Sequence, residues 1–152
     1  MGAGISGILA AKNAAKNNFK TLLLDEKNEL GGSTVYESNE YNKINNNSAS
    51  EWLKKEINEL KNIKNLEIKT RTCVAAYHQY NYLLARENLT DHLDKKNKKN
   101  KIRQRLLKIR AKKVILATGA LERPLIFNNN DRPGIMLSSA CLLYTSPSPR
   151  DN

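Results

Sequence analysis

The sequence has few of the residues that form disulfide scaffolds, metal sites and aromatic stacking surfaces. Its 152 residues include two cysteines, two histidines, one tryptophan and two phenylalanines. Cys73 and Cys141 belong to no Cys-x-x-Cys or Cys/His cluster, so we predict neither a disulfide framework nor a metal site. His78 and His92 are isolated in the sequence, which favours surface or packing roles over metal binding.

Long apolar runs are also missing. No stretch approaches the roughly 18 consecutive apolar residues that a membrane-spanning helix needs. Neither a signal peptide nor a lipidation motif is recognisable. We therefore expect a cytoplasmic protein with no membrane partner, and the sparse use of cysteine is consistent with a reducing compartment.

Acidic residues are absent from one long segment. Residues 95–113 contain 11 lysines or arginines, and because acids and bases balance elsewhere, this segment accounts for the formal net charge of +11. A nucleic-acid-binding segment would carry aromatic residues between its charges, and this one has none. We predict a solvated insertion loop over residues 95–101 and no nucleic-acid partner. A basic nucleic-acid-binding fragment stays open as an alternative, whose binding would weaken steeply with salt.

Three glycines stand immediately after Met1 in the pattern Gly-x-Gly-x-x-Gly, at Gly2, Gly4 and Gly7. In a dinucleotide-binding turn the first permits a tight bend, the second lets the backbone approach the pyrophosphate, and the third lets the helix pack closely on the sheet. The free N–H groups and the dipole of that helix attract phosphate. Such a turn normally follows a buried strand, which we expect to be absent from this sequence.

An acidic residue follows at the spacing that a dinucleotide ribose requires. Residues 20–24 predict a short buried parallel strand, and the strand ends at Asp25, near the expected spacing of about 20 residues from the glycines. A carboxylate there accepts hydrogen bonds from ribose hydroxyls and repels a 2′-phosphate, which favours NAD over NADP. Glu26 is the alternative ribose acceptor. An ordinary strand-end acid that caps a turn is the structural alternative for Asp25.

Two later segments resemble further parts of a cofactor site. Gly31 and Gly32 follow Asp25 as in the D/E-x5-GG extension of the two-dinucleotide-binding flavoprotein superfamily, in which this loop lies over the cofactor; a flexible loop is the alternative. Residues 113–120 predict an apolar strand that runs into the Ala-Thr-Gly of the same superfamily, so Thr118 and Gly119 are candidate cofactor contacts. Together these signals predict an α/β, Rossmann-like FAD/NAD(P)-binding domain that is incomplete, with its first strand and second half absent.

The remaining patterns predict the supporting elements. Ser48 begins a capping box for a helix that buries Trp52 and its apolar neighbours, after a polar loop at residues 37–50. Residues 66–70 alternate like a strand, and residues 73–84 predict paired strands of a small β-meander. We expect the tyrosines of this meander to pack rather than to bind substrate. The two prolines of residues 121–136 exclude a long helix there.

The last residues differ in composition from everything before them. Residues 141–152 contain no lysine and two Ser-Pro pairs, and they can be written as codons that match a transposase sequencing adapter. We therefore interpret residues 1–140 as a partial FAD/NAD(P)-binding domain and residues 141–152 as a non-native tail that packs on nothing and has no defined fold. A genuine proline-rich tail is the alternative.

Residues 80–93 and 103–140 closely resemble the alpha subunit of bacterial heterotetrameric sarcosine oxidase. The most specific segments are Ala-Thr-Gly-Ala-x-Glu-Arg-Pro at 117–124 and Asn-Asp-Arg-Pro-Gly at 130–134. The resemblance implies an oxidoreductase that demethylates sarcosine, a small-molecule amine, to glycine, passes the one-carbon unit to tetrahydrofolate and forms hydrogen peroxide. It also implies beta, gamma and delta subunits as partners, with FAD in the beta subunit and FMN between alpha and beta.

In that family the dinucleotide domain of the alpha subunit holds NAD without an established redox role. No catalytic residue is assigned here, and we expect the chain alone to be inactive. The residues that carry over are the cofactor contacts, at Gly2, Gly4, Gly7, Asp25, Glu26, Gly31, Gly32, Thr118 and Gly119. A flavin-dependent amine or amino-acid dehydrogenase subunit, with FAD at the same site, is the alternative function and would show a bound yellow chromophore.

Overall fold

The computed structural model describes residues 1–35, 43–44, 46–94 and 101–145. One compact unit spans Met1–Gly119 and a second begins at Ala120. Two 3₁₀ turns, Gly32–Val35 and Gln79–Asn81, join the regular elements. In chain order these elements are α1 (Ile5–Lys16), β1 (Thr21–Leu24), β2 (Lys43–Ile44), β3 (Asn47–Ser48), α2 (Ala49–Lys61), β4 (Leu66–Lys69), β5 (Thr72–His78), β6 (Tyr82–Asn88), β7 (Gln104–Arg110) and α3 (Ser138–Thr145).

A parallel strand pair, β1 with β4, supports the glycine turn. Its register runs from Thr21 opposite Leu66 to Leu24 opposite Lys69. The extended residues before α1 continue this arrangement, because the Gly2 N–H donates to the Leu24 carbonyl over 2.8 Å. On the side of this segment away from β1, the Met1 carbonyl accepts the Ala117 N–H over 2.8 Å. Residues 1–3 therefore lie between β1 and the Ala-Thr-Gly segment.

The two long helices form the core with this strand pair. α2 begins where the capping box predicts, since the Ser48 hydroxyl accepts the Glu51 N–H over 3.3 Å. The glycine turn, α1, β1 and α2 all contribute buried apolar side chains, so the glycine turn packs into the same core as both helices. The core cluster consists of Ala3, Ile8, Ala11, Leu23, Leu30, Trp52, Leu53 and Leu60.

The β-meander is confirmed and contains one strand more than the sequence predicts. β5, β6 and β7 form an antiparallel sheet with β6 in the centre. The turn between β5 and β6 places Tyr80 and Asn81 at positive φ. The expectation that the tyrosines pack was wrong for two of them: Tyr77 is 51% exposed and Tyr80 85%. Tyr80 projects from a turn, and turns leave their side chains in solvent.

Three other expectations about elements need correction. Residues 113–120 form no regular strand, because among the described residues only Met1 pairs with them. The Met1 carbonyl accepts the Ala117 N–H, and the Met1 amino group donates to the Ile115 carbonyl over 2.5 Å. The polar loop at 37–50 contains the short β2–β3 pair and the start of α2. Backbone of the expected unstructured tail is helical up to Thr145 in α3.

The segments at 36–42, 45, 95–100 and 146–152 lie outside the described residues, and with them most of the predicted lysine loop and of the predicted tail. Among the helices of the described residues, none has the length and apolarity to cross a bilayer.

Candidate cofactor site

The start of α1 borders open space beside Gly4. Gly4 is the N-cap of α1 in an extended conformation, φ −70° and ψ −176°, and no side chain caps this helix end. Among the atoms of the described residues, a Cβ added to Gly4 would meet only the Gly32 Cα, at 4.0 Å. The first turn contains no acidic residue, so its N–H groups and the helix dipole are available to an anion. This arrangement suits a phosphate group that approaches the backbone at Gly4.

The other two glycines of the turn are required by packing. A Cβ on Gly7 would lie 1.8 Å from the Gly2 carbonyl oxygen, so α1 can lie this close to the turn only without a side chain there. A Cβ on Gly2 would lie 2.1 Å from the Ala117 carbonyl oxygen, and Gly2 also has a φ of +91°. Gly2 and Gly7 thus fix the position of the helix start, and Gly4 leaves it open.

The Asp25 carboxylate lies at the carboxyl end of β1, beside the glycine turn. Its Oδ2 accepts the Ala3 N–H over 2.6 Å, and its Oδ1 accepts the Lys27 N–H over 2.8 Å. Asp25 is half-buried. A carboxylate has about four lone-pair positions, so these two hydrogen bonds leave acceptor capacity for a hydroxyl pair. Glu26, the alternative ribose acceptor, is exposed to solvent.

The paired glycines lie against the glycine turn. The Gly31 N–H donates to the Ala3 carbonyl over 2.8 Å, and Gly31 forms a parallel bridge with Gly4. A Cβ on Gly32 would come within 3.0 Å of the Gly4 Cα, and one on Gly31 within 2.5 Å of a Leu53 methyl group. This loop therefore lies next to the open space at Gly4, and its two glycines allow the close approach.

The Ala-Thr-Gly segment lies on the opposite side of the turn from β1. Thr118 is exposed, and its Cα would be 3.2 Å from a Cβ on Gly2. Gly119 has a φ of +72°, and among the described residues no atom lies within 4 Å of its Cβ position. Thr118 is thus adjacent to the turn, and Gly119 follows it directly in the chain.

The sequence-predicted residues consequently surround one turn, apart from Glu26, which points to solvent. Sequence reasoning missed two backbone groups. The Ala3 N–H holds Asp25, and the Ala117 carbonyl requires the first glycine. Ala3 could have been found from its place between two glycines, because the backbone of such a turn is the nearest donor to a strand-end acid. The Ala117 contact joins residues far apart in the chain and has no local signal.

The chain is similar in sequence to proteins of known family. A family model described as pyridine nucleotide-disulphide oxidoreductase matches residues 1–142. The sarcosine oxidase subunit alpha of Corynebacterium sp. (strain P-1) is 40% identical over 144 residues, which are 95% of this chain and 15% of that protein. The corresponding subunit of Rhizobium meliloti (strain 1021) is 33% identical over 95% of this chain and 14% of its own.

A solved structure is similar as well. The L-proline dehydrogenase from P. horikoshii matches with a TM-score of 0.62 and 26% identity, over 88% of this chain and 24% of that one. The chain spans about 15% of the length of the curated relatives it matches. The predicted resemblance to sarcosine oxidase alpha subunits and the predicted Rossmann-like fold are both confirmed. The chain belongs to the pyridine nucleotide-disulphide oxidoreductase family, as a partial FAD/NAD(P)-binding domain of Rossmann-like fold.

Proposed function

We propose that this chain is the dinucleotide-binding part of a sarcosine oxidase alpha subunit. The observation that carries the proposal is the open space at Gly4, bordered by the free start of α1 and by a carboxylate at the end of β1. A dinucleotide needs both groups, one for its pyrophosphate and one for its ribose hydroxyls. The identity of 40% to the curated subunit supports the assignment to this enzyme.

In this proposal the α1 start and Gly4 hold the pyrophosphate, and Asp25 accepts the ribose hydroxyls. Gly31, Gly32, Thr118 and Gly119 border the cofactor. We favour NAD, because the negative charge of Asp25 disfavours a 2′-phosphate. When bound, NAD supplies a hydride-accepting nicotinamide, and the residues described here bind and orient the adenosine end.

The complete enzyme would oxidise sarcosine with further cofactors that this chain does not hold. We propose FAD, FMN and tetrahydrofolate sites elsewhere in an assembly with beta, gamma and delta subunits, as the family resemblance implies. The names of the curated relatives as alpha subunits support partner subunits of some kind. Such an enzyme would work in the cytoplasm.

A second function is a flavin-dependent amine or amino-acid dehydrogenase subunit, with FAD in the same site. The likeness to a structure named L-proline dehydrogenase favours it. The glycine turn fits either cofactor, because FAD and NAD share the adenosine diphosphate portion that such a turn binds. The two proposals differ in the chromophore of the purified full-length protein. A yellow flavin released from this domain would support the dehydrogenase, and NAD would support the sarcosine oxidase subunit.

The experiment uses the complete alpha subunit, co-expressed with its partner subunits. Gly4→Val is the sharpest variant, because a φ of −70° suits valine and its side chain would project into the open space. We expect it to fold and to lose the NAD of this domain while the FAD of the beta subunit stays bound, measured by mass spectrometry of the released cofactors. Full NAD occupancy in this variant would contradict the site assignment.

Asp25→Ala and Glu26→Ala form a matched pair that locates the ribose acceptor. Asp25→Ala should weaken binding by about 10- to 150-fold, the equivalent of one charged hydrogen bond. Glu26→Ala should bind normally, because its side chain faces solvent. The reverse result would move the ribose role to Glu26. Sarcosine turnover should survive in the Asp25 variant, since the amine is oxidised in another subunit under this proposal.

A further inference from the structure

The β-meander separates its charges between two faces. The register of β6 with β7 places Tyr82 opposite Arg110, Leu84 opposite Lys108 and Arg86 opposite Leu106. Alternate residues of a strand share one face, so these six side chains lie together. The opposite face of β6 carries Leu83 and Ala85, which are 4% and 0% exposed. The first face is therefore the outer one.

The inner face neutralises its charges. The Glu87 carboxylate lies 3.2 Å from the Lys69 ammonium and 3.6 Å from the Arg105 guanidinium. On the outer face the situation differs. Among the residues that the structure describes, no carboxylate forms an ion pair with Arg86, Lys108 or Arg110. On this face Lys108 is the neighbour of both arginines, and the Cα atoms of such neighbours are roughly 7 Å apart. The positive charge of Lys108 is therefore repelled by a like charge on each side.

An aromatic pair holds one of these cations in place. The Arg110 Cζ lies 5.6 Å from the centre of the Tyr82 ring, and the Tyr82 and His78 ring centres are 6.0 Å apart. A guanidinium stacked on a ring keeps its edge N–H groups for a carboxylate and loses little freedom when it binds one. We call His78, Tyr82, Arg86, Lys108 and Arg110 the basic face. Leu106, 62% exposed, lies among its cations.

We propose that the basic face is a docking surface for an acidic surface of a partner protein. Carboxylates would complement the three unpaired cations, and an apolar group would cover Leu106. Protein interfaces are enriched in arginine and tyrosine and have an apolar centre. A single-stranded nucleic acid is disfavoured, because it stacks its bases on free rings and Arg110 covers the Tyr82 ring. The proposal is independent of the cofactor site.

The test uses the full 152-residue chain and two fluorescent probes, a peptide of alternating glutamate and leucine and an oligothymidylate. The variant replaces Arg86, Lys108 and Arg110 by glutamine. The control replaces the exposed lysines of α2 by glutamine, at Lys54, Lys55 and Lys61, so both lose three charges. Circular dichroism establishes that both fold. A third variant, Arg110→Lys, keeps the charge and removes the stacked guanidinium.

We expect the wild type and the control to bind the peptide alike. The basic-face variant should bind about tenfold more weakly, Arg110→Lys should fall between them, and raised salt should weaken binding. Equal peptide binding by the basic-face variant and the control would overturn the proposal. So would failure of the wild type to bind the peptide, or tighter binding of the oligothymidylate that the basic-face variant loses.

Discussion

The three glycines of the turn have different physical roles, although one pattern identifies them all. Gly4 borders open space. At Gly2 and Gly7, by contrast, an added Cβ would lie about 2 Å from a backbone oxygen, which excludes any side chain. Substitutions at these positions therefore separate binding from folding. A side chain at position 4 should interfere with ligand binding, and a side chain at position 2 or 7 should destabilise the fold.

Gly7→Ala and Gly119→Ala test this distinction. The methyl group at position 7 would lie 1.8 Å from the Gly2 oxygen, whereas that at position 119 has no atom within 4 Å and meets only an unfavourable φ of +72°. We expect Gly7→Ala to lower the free energy of unfolding by about 3 kcal/mol or more. Gly119→Ala should cost about 1–2 kcal/mol. Urea unfolding measures both, and equal losses would show that α1 can move away from the turn.

Glu122 is the residue with the most strongly shifted titration. Its Oε2 accepts the Ser139 hydroxyl over 2.6 Å and the Ser139 N–H over 3.0 Å, and its Oε1 accepts the hydroxyl and N–H of Ser138. The Ser138 and Ser139 hydroxyls, with these N–H groups, lower the pKa of the Glu122 carboxyl from 4.5 to about 2. The carboxylate thereby caps the start of α3.

A lowered pKa in the folded state means that the ionised carboxyl stabilises α3. This contribution is complete above the ordinary pKa of 4.5 and is lost as the pH falls towards 2. We expect a carbon-13 NMR titration of Glu122 to have its midpoint near pH 2, and Glu122→Gln to speed amide exchange at Ser138 and Ser139 at neutral pH. A midpoint near 4.5 would contradict the capping contact.

At the scale of elements, one lysine joins the two long helices. The Lys12 ammonium of α1 lies 2.5 Å from the Glu56 carboxylate and 2.7 Å from that of Glu59, both on α2. The Glu56 side chain is 9% exposed and that of Lys12 is 14% exposed. Because a buried carboxylate without a cation is costly, this contact fixes α2 against the helix that begins at the glycine turn.

Lys12→Met should therefore lower the free energy of unfolding by roughly 3 kcal/mol at neutral pH. Hydrogen bonds to Glu56 and Glu59 raise the pKa of Lys12 above 10.5, so its contribution is lost as the pH rises through that raised value. The hydrogen bond from Lys12 lowers the pKa of Glu59 below 4.5, so that contribution is lost as the pH falls. The difference between wild type and variant, from urea unfolding, should be widest between about pH 5 and 10. A difference independent of pH would exclude the ion pair as its source.

Elements with a local signal were predictable from the sequence. The capping serine fixes the start of α2, and the apolar run before Asp25 gives β1, because side-chain period and caps are properties of neighbouring residues. Residues 113–120 show the limit of this reasoning. Their apolar composition predicts a strand, but a strand also needs a partner along its length. Within the described part of the chain, only Met1 forms backbone hydrogen bonds with these residues.

That Gly4 and Asp25 lie near each other was predictable from the sequence, whereas the detailed contacts of the candidate residues were not. Glycine spacing and a strand-end acid bring Gly4 and Asp25 together, because both follow from the strand–turn–helix order. The exposed tyrosines and the pairing of Tyr82 with Arg110 depend on register, which the sequence does not fix when polar residues occupy both faces of a strand. The basic face could therefore be found only from the structure.

At the scale of the whole molecule, the charge of the chain has two parts with different consequences. One part includes the cations of β7, where Arg110 lies over the Tyr82 ring in a defined register. The other part, Lys95, Lys96, Lys98 and Lys99, lies outside the described residues. Composition alone assigns no function to this second part, because residues 95–101 consist only of lysine and asparagine.

Neutralising those four lysines should therefore leave the fold intact. Replacing Lys95, Lys96, Lys98 and Lys99 by glutamine lowers the formal net charge of +11 by four, and weaker self-repulsion favours the compact state. We expect a free energy of unfolding equal to that of the wild type within about 0.5 kcal/mol or slightly higher, measured by urea unfolding at low salt, where repulsion is strongest. The acidic peptide probe should still bind, because the basic face keeps its three cations. Loss of that binding would place the acidic partner on the lysine run instead, and a large loss of stability would show that these lysines take part in the fold.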